Sequence, residues 1–224
     1  MKKNTISSFL SIFLALCMVL PIASMNVTAN AQQLFTDVRE DAWYYEAVDF
    51  CCDNWSLMEG TGNNQFSPNA TLTRSMIVTI LYRWEGSPDI SGLSNSFPDV
   101  PENTWYTNAV KWAAANNIVT GYSNGKFGPN DAVTKEQLAV LFYRLGEGST
   151  QLPPAISAGV SFKDMNQVGD WSYEAVSTLN KLGLFMDIPS DRFGPQTPAT
   201  RAEVASILYR YVIVVFAAND GPGE

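Results

Sequence analysis

The chain has 224 residues, a formal charge of −8, three cysteines and no histidine. The length allows one medium domain or two small ones, and the acidic balance excludes nucleic-acid binding through bulk charge. Without histidine, mechanisms that use imidazole as base or metal ligand lose their usual residue, so no cofactor and no metal site is expected.

In chain order, Lys2 and Lys3 make a basic start, an apolar run extends from about Phe9 to Ile22, and Ala29-Asn30-Ala31 supplies small residues at the cleavage-site positions. That order is the order of a secretory signal, expected over residues 1–31, with the mature chain starting near Gln32. The apolar run is too short and too early for a comfortable membrane span. A lipid anchor at Cys17 is the rival reading; Leu14-Ala15-Leu16 lacks the small residue usually needed before the cysteine. Removal of the signal takes away Lys2 and Lys3 but no acid, which moves the charge from −8 to −10. Cys51 and Cys52 are sequence neighbours, a poor geometry for a disulfide, and at least one reads as a small core residue. With 46% hydrophobic residues the chain can rely on its core instead.

Three segments repeat. They open Phe35-Thr36-Asp37-Val38, Phe97-Pro98-Asp99-Val100 and Phe162-Lys163-Asp164-Met165. Trp43, Trp105 and Trp171 follow, then the pairs Ala47-Val48, Ala109-Val110 and Ala175-Val176. A Phe-x-Pro comes next at Phe66, Phe127 and Phe193, and then a basic residue behind a threonine: Thr73-Arg74, Thr134-Lys135, Thr200-Arg201. Fixed internal spacing of this kind is the signature of a repeat protein.

Each unit reads as helix, loop, helix. The first helix places Trp43, Ala47, Val48 and Cys51, with their counterparts, on one face. The loop carries Gly60 and Gly62, then Gly121 and Ser123-Asn124-Gly125. Asp187 replaces the glycine in copy three, where its tolerance of a left-handed backbone would preserve the turn. The second helix shows apolar residues at i, i+3, i+4, i+7: Ile77, Ile80, Leu81, Trp84; Leu138, Leu141, Phe142, Leu145; Val204, Ile207, Leu208, Tyr211. Threonine caps its start, and Gln137 and Glu203 complete capping boxes that Met76 cannot. The assignment is all-α, with repeats at 35–86, 97–147 and 162–216, loops between them, and a flexible tail at 217–224. The run from Tyr211 to Phe216 is expected to extend the last helix into the core. Units of this size must share one core.

The Phe-x-Asp-Val opening, the Trp, the Gly-x5-Phe-x-Pro loop and the Thr-Arg-Ala-Glu helix start resemble the surface-layer homology (SLH) repeat, from Phe35 to about Val212. Copy three keeps the tetrad as Thr200-Arg201-Ala202-Glu203, copy two has Thr134-Lys135-Glu136-Gln137, and copy one has Thr73-Arg74-Ser75-Met76. The resemblance implies a pseudo-threefold spindle around a shared central helical bundle, with grooves that bind secondary cell-wall polysaccharide, often pyruvylated. It implies a non-catalytic anchor at the cell wall or S-layer of a bacterium. The site residues it implies are Arg74, Lys135 and Arg201 with Asp37, Asp99 and Asp164, and more weakly the walls Trp43, Trp105 and Trp171.

The chemistry suits an anionic glycan. Arginine meets a carboxylate with a planar fork, and free N–H groups at a helix N-terminus favour an anion. Each group also has a plainer reading. The cations could be solvated surface, the Asp residues turn or cap residues, the tryptophans core, and the tetrad Glu a cap. Arg83, Arg144 and Arg210 read as solvated or inter-repeat partners. The alternative function is an adaptor or coat component that uses the same spindle to hold another surface protein.

Overall fold

A computed structural model describes residues 34–149, 152–155 and 157–219. The expected signal peptide and residues 220–224 of the expected tail lie outside them. The described residues form six α-helices and no strand. The first helices of the repeats are α1 (Tyr45–Asp49), α3 (Thr107–Ala115) and α5 (Tyr173–Lys181); the second are α2 (Arg74–Trp84), α4 (Lys135–Ser149) and α6 (Arg201–Asn219).

The second helices begin where threonine can cap them. Thr73 Oγ1 accepts from Met76 N at 3.3 Å. Both capping boxes form: Thr134 N donates to Gln137 Oε1 at 3.3 Å, and Thr200 N to Glu203 Oε2 at 2.9 Å. All twelve periodic apolar positions of these helices are buried, each contributing on the order of 1.5–3 kcal/mol of transfer free energy. The end of α6 continues to Asn219, with Tyr211, Val212 and Val214 buried.

The first helices bury their Ala-Val pairs together with Ala113 and Leu179, and Cys51 is buried just past the end of α1. The tryptophans do not join them. Each helix starts two residues after its Trp, so the indole sits in the entering turn, outside the helical face. Trp43, Trp105 and Trp171 are 37%, 61% and 60% exposed. The next residue takes the inward place: Tyr106 and Ser172 are buried and Tyr44 half-buried. Trp43 and Trp105 stand edge-on to Tyr44 and Tyr106, at 5.3 and 5.0 Å between ring centres.

Copy one contains one extra residue between its first helix and loop. Leu57 N reaches back six residues to Cys51 O, whereas Ile118 N reaches five to Ala113 O and Leu184 N five to Leu179 O. A π-helical turn over Phe50–Asn54 absorbs the insertion, as single-residue insertions in helices commonly are.

The packing partners are not the two helices of one repeat. α2 packs against α3, α4 against α5, and α6 returns to α1. Each second helix therefore docks on the first helix of the following repeat, and the third repeat closes onto the first. Tyr82 meets Trp112 across α2–α3 at 5.6 Å, and Phe50 meets Tyr209 across the closing pair at 5.1 Å. Between the repeats, Val133 N donates to Leu72 O, Ala199 N to Val133 O, and Leu72 N to Ala199 O, at 3.0, 2.9 and 3.3 Å. Three buried residues thus form a closed ring of backbone bonds with one member per repeat.

Candidate functional site

Within each repeat the opening motif clamps its own loop. The ring pairs Phe35–Phe66, Phe97–Phe127 and Phe162–Phe193 lie 5.6, 5.6 and 5.7 Å apart. A Cβ on Gly60 or Gly121 would lie 2.6 Å from the ring of Phe35 or Phe97, so close approach excludes larger residues there. Asp187, at the equivalent place, does not use a left-handed backbone as expected. The demand shared by the two glycines is ring space; only Gly121 has a positive φ. Asp187 instead accepts from Arg210 Nε and Nη2.

The opening Asp residues are held by the loop. Asp37 accepts from Phe66 N and Ser67 N at 2.8 and 2.7 Å, Asp99 from Phe127 N and Gly128 N at 2.8 Å each, and Asp164 from Phe193 N and Gly194 N at 2.7 and 2.9 Å. The residue between Phe and Pro turns its N–H inward by adopting a positive φ: +57° at Ser67, +71° at Gly128, +67° at Gly194. Desolvation raises the pKa of Asp99 and Asp164, but the two backbone donors outweigh it and hold both below the ordinary aspartate value.

The basic residues lie at the junctions between repeats. Each opens a second helix, and its backbone bonds to the loop of the following repeat: Arg74 N to Asp131 O, Lys135 N to Thr197 O, Arg201 N to Ala70 O. The next N–H groups, of Ser75, Glu136 and Ala202, bond to Pro129, Pro195 and Pro68 O. The expected free helix N-termini are therefore occupied, because the junctions consume those donors.

The side chains continue the contact. Arg74 is 7% exposed. Its Nε donates to Phe127 O at 2.8 Å, and its guanidinium lies 4.6 Å from the Tyr122 ring and 5.0 Å from Phe127. Arg201 repeats this on copy one, with Nε to Phe66 O at 2.6 Å, Nη2 to Glu59 O, and the Phe66 ring at 4.4 Å. Burial pulls both guanidinia below their ordinary value, opposed by Tyr122, Asp131 and Asp99 around Arg74 and by Cys52 and Asp37 around Arg201. Each arginine is thus brought near the opening Asp of the next repeat. Lys135 cannot make the fork; its Nζ pairs with Glu203 Oε1 at 2.5 Å. Neither Arg74 nor Arg201 has an ion pair among the described residues.

Beside Arg74 lies a cleft of about 310 Å³, lined by Asp99, Tyr122, Asn124, Lys126 and the Gly128–Asp131 turn. Tyr122 belongs both to this lining and to the rings under the Arg74 guanidinium. Trp105 is not among its walls. The sequence had marked this loop only as a turn, yet Lys126 is the exposed cation of the cleft; Gln65 and Arg192 hold the equivalent positions. Among the described residues, the partners of Arg83, Arg144 and Arg210 lie within their own repeats: Glu59, Ile118 O and Asp187. Among the described residues no group of His, Cys, Asp and Glu is arranged to hold a metal, and no helix is long and apolar enough to cross a membrane.

These features define a closed set of three helical repeats with cationic residues at the junctions. A family model described as the S-layer homology domain matches residues 34–75, 96–139 and 161–205. The chain belongs to that family. It is 31% identical over 176 residues to an amylopullulanase of Thermoanaerobacterium thermosulfurigenes, covering 78% of this chain and 9% of that protein. It is 26% identical over 157 residues to a cellulosome-anchoring protein of Acetivibrio thermocellus, covering 69% and 35%. It is 28% identical over 138 residues to the S-layer protein EA1 of Bacillus anthracis, covering 62% and 15%. The chain therefore spans about a third or less of the length of these relatives. Family membership puts it at the cell wall or S-layer surface, in an anchoring role.

Proposed function

We propose that the chain is a non-catalytic module that binds an anionic secondary wall polysaccharide, of the pyruvylated kind, at the junctions held by Arg74 and Arg201. The observation that carries this reading is the cleft beside Arg74. It combines hydroxyl acceptors (Asp99, Asp131), amides (Asn124, Asn130), an aromatic wall (Tyr122) and an exposed ammonium (Lys126). A sugar bearing a carboxylate needs that combination: acceptors for its hydroxyls, and a cation for its acid. Arg74, stacked on Tyr122 and in no ion pair among the described residues, adds a second positive charge near the cleft, partly offset by Asp99 and Asp131. Linked weak sites on one polymer would gain avidity, on the order of a hundredfold.

A second reading, docking of another surface protein, is favoured by the exposed Trp105, Trp171 and Tyr173, since exposed aromatic residues are enriched at interfaces. Retention on wall sacculi separates the two. The polysaccharide reading predicts strong retention on intact sacculi and loss after acid extraction of the secondary polymer. Equal retention on both would sink it.

A further inference from the structure

The three junctions are built alike. The isolated backbone bridges Thr73–Ala132, Thr134–Pro198 and Thr200–Thr71 occupy equivalent positions in the three copies. The third residue of each second helix therefore stands at the same place: Met76, Gln137 and Glu203. Glu203 differs from the others in reaching backwards across its junction. One carboxylate oxygen serves its own helix, accepting from Thr200 N at 2.9 Å and Thr200 Oγ1 at 3.0 Å. The other meets Lys135 of the preceding repeat at 2.5 Å, with the two side chains only 10% and 15% exposed. Gln137 preserves the cap on Thr134 but brings no charge toward Arg74. Met76 brings none toward Arg201.

We propose that this position decides which junctions accept an anionic ligand: Glu203 closes the Lys135 junction, while Gln137 and Met76 leave those of Arg74 and Arg201 open. The inference rests on the polysaccharide reading above. An ammonium already facing a carboxylate held in place by its own helix cap gains little from a second carboxylate, which must still lose its translational freedom and its hydration to bind. The internal acid is present at fixed geometry and wins. The departures from the tetrad in copies one and two then act as openings, because each removes an acid from the cation of the repeat before it. Glu203 in the complete tetrad of copy three affects copy two, not its own arginine.

The test is a calorimetric titration of the full chain with a methyl glucoside carrying a 4,6-pyruvate ketal, with the unmodified methyl glucoside as control. Glu203→Gln keeps a cap of the kind Gln137 makes and is expected to add a third equivalent of bound ketal. Met76 is 40% exposed, so Met76→Glu adds a surface acid and completes a capping box. That variant is expected to melt no lower than the parent and to lose one equivalent, the affected site weakening roughly tenfold or more for a lost charge-assisted bond. Unchanged stoichiometry and affinity in a folded Met76→Glu chain would overturn the inference, even if Glu203→Gln failed to fold. If the parent chain shows no preference for the ketal over the control, the polysaccharide reading fails instead.

Discussion

At the residue scale, side chains that read as ligand groups have structural duties first. Asp164 is the clearest case, being 3% exposed with both oxygens taken by backbone N–H groups. Its folded pKa is depressed. Its contribution to stability is therefore complete above the unfolded aspartate value, about 3.9, and is lost as pH falls through the lower folded value. Stability should be level from neutral pH to about pH 5 and should drop below about pH 4. Asp164→Asn presents one amide oxygen where two acceptors are needed, and should cost about 1–3 kcal/mol at pH 7 for the unpaired donor. The parent and the variant should converge as pH approaches 2. A chemical-denaturation series across pH checks this; an equal gap at every pH would contradict it. The clamp was open to two readings in the sequence, because the bonds span 29 and 30 residues and leave no local mark. The tryptophans misled for a local reason: their spacing fits a helical face, but each helix begins after them.

At the element scale, the second helices were legible because threonine caps and an unbroken i, i+3, i+4, i+7 pattern state both their start and their buried face. Which helix each one packs against was not. A pattern repeated three times is the same whether docking occurs within a repeat or one repeat along, and only the closed contacts choose the second. The insertion in copy one shows in the sequence as one more residue between the Ala-Val pair and the Phe-x-Pro, but not the turn that absorbs it. Deleting exposed Asp53 should restore the five-residue spacing of copies two and three. The chain should still fold, with stability changed by no more than about 1 kcal/mol, and the first helix should gain protection against hydrogen exchange. Loss of cooperative unfolding in that variant would show that the π turn is required, not merely accommodated.

At the scale of the whole molecule, no repeat is a self-contained structure. Its second helix, its cation and two of its helix N–H groups are all satisfied by the next copy. That closure sets what remains for a ligand. The basic residues were visible in the sequence as a trio, and the fold divides them: Arg74 and Arg201 rest on aromatic rings and make no ion pair among the described residues, and Lys135 is paired across its junction. The division could not be read from spacing, since Glu203 lies 68 residues from the lysine it meets. The most direct measurement is the number of pyruvate-ketal glycosides bound by one parent chain at saturation in a calorimetric titration. Two equivalents per chain, with the control glycoside bound more weakly, is the expected result; three equal equivalents, or none, would contradict the assignment of binding to the Arg74 and Arg201 junctions.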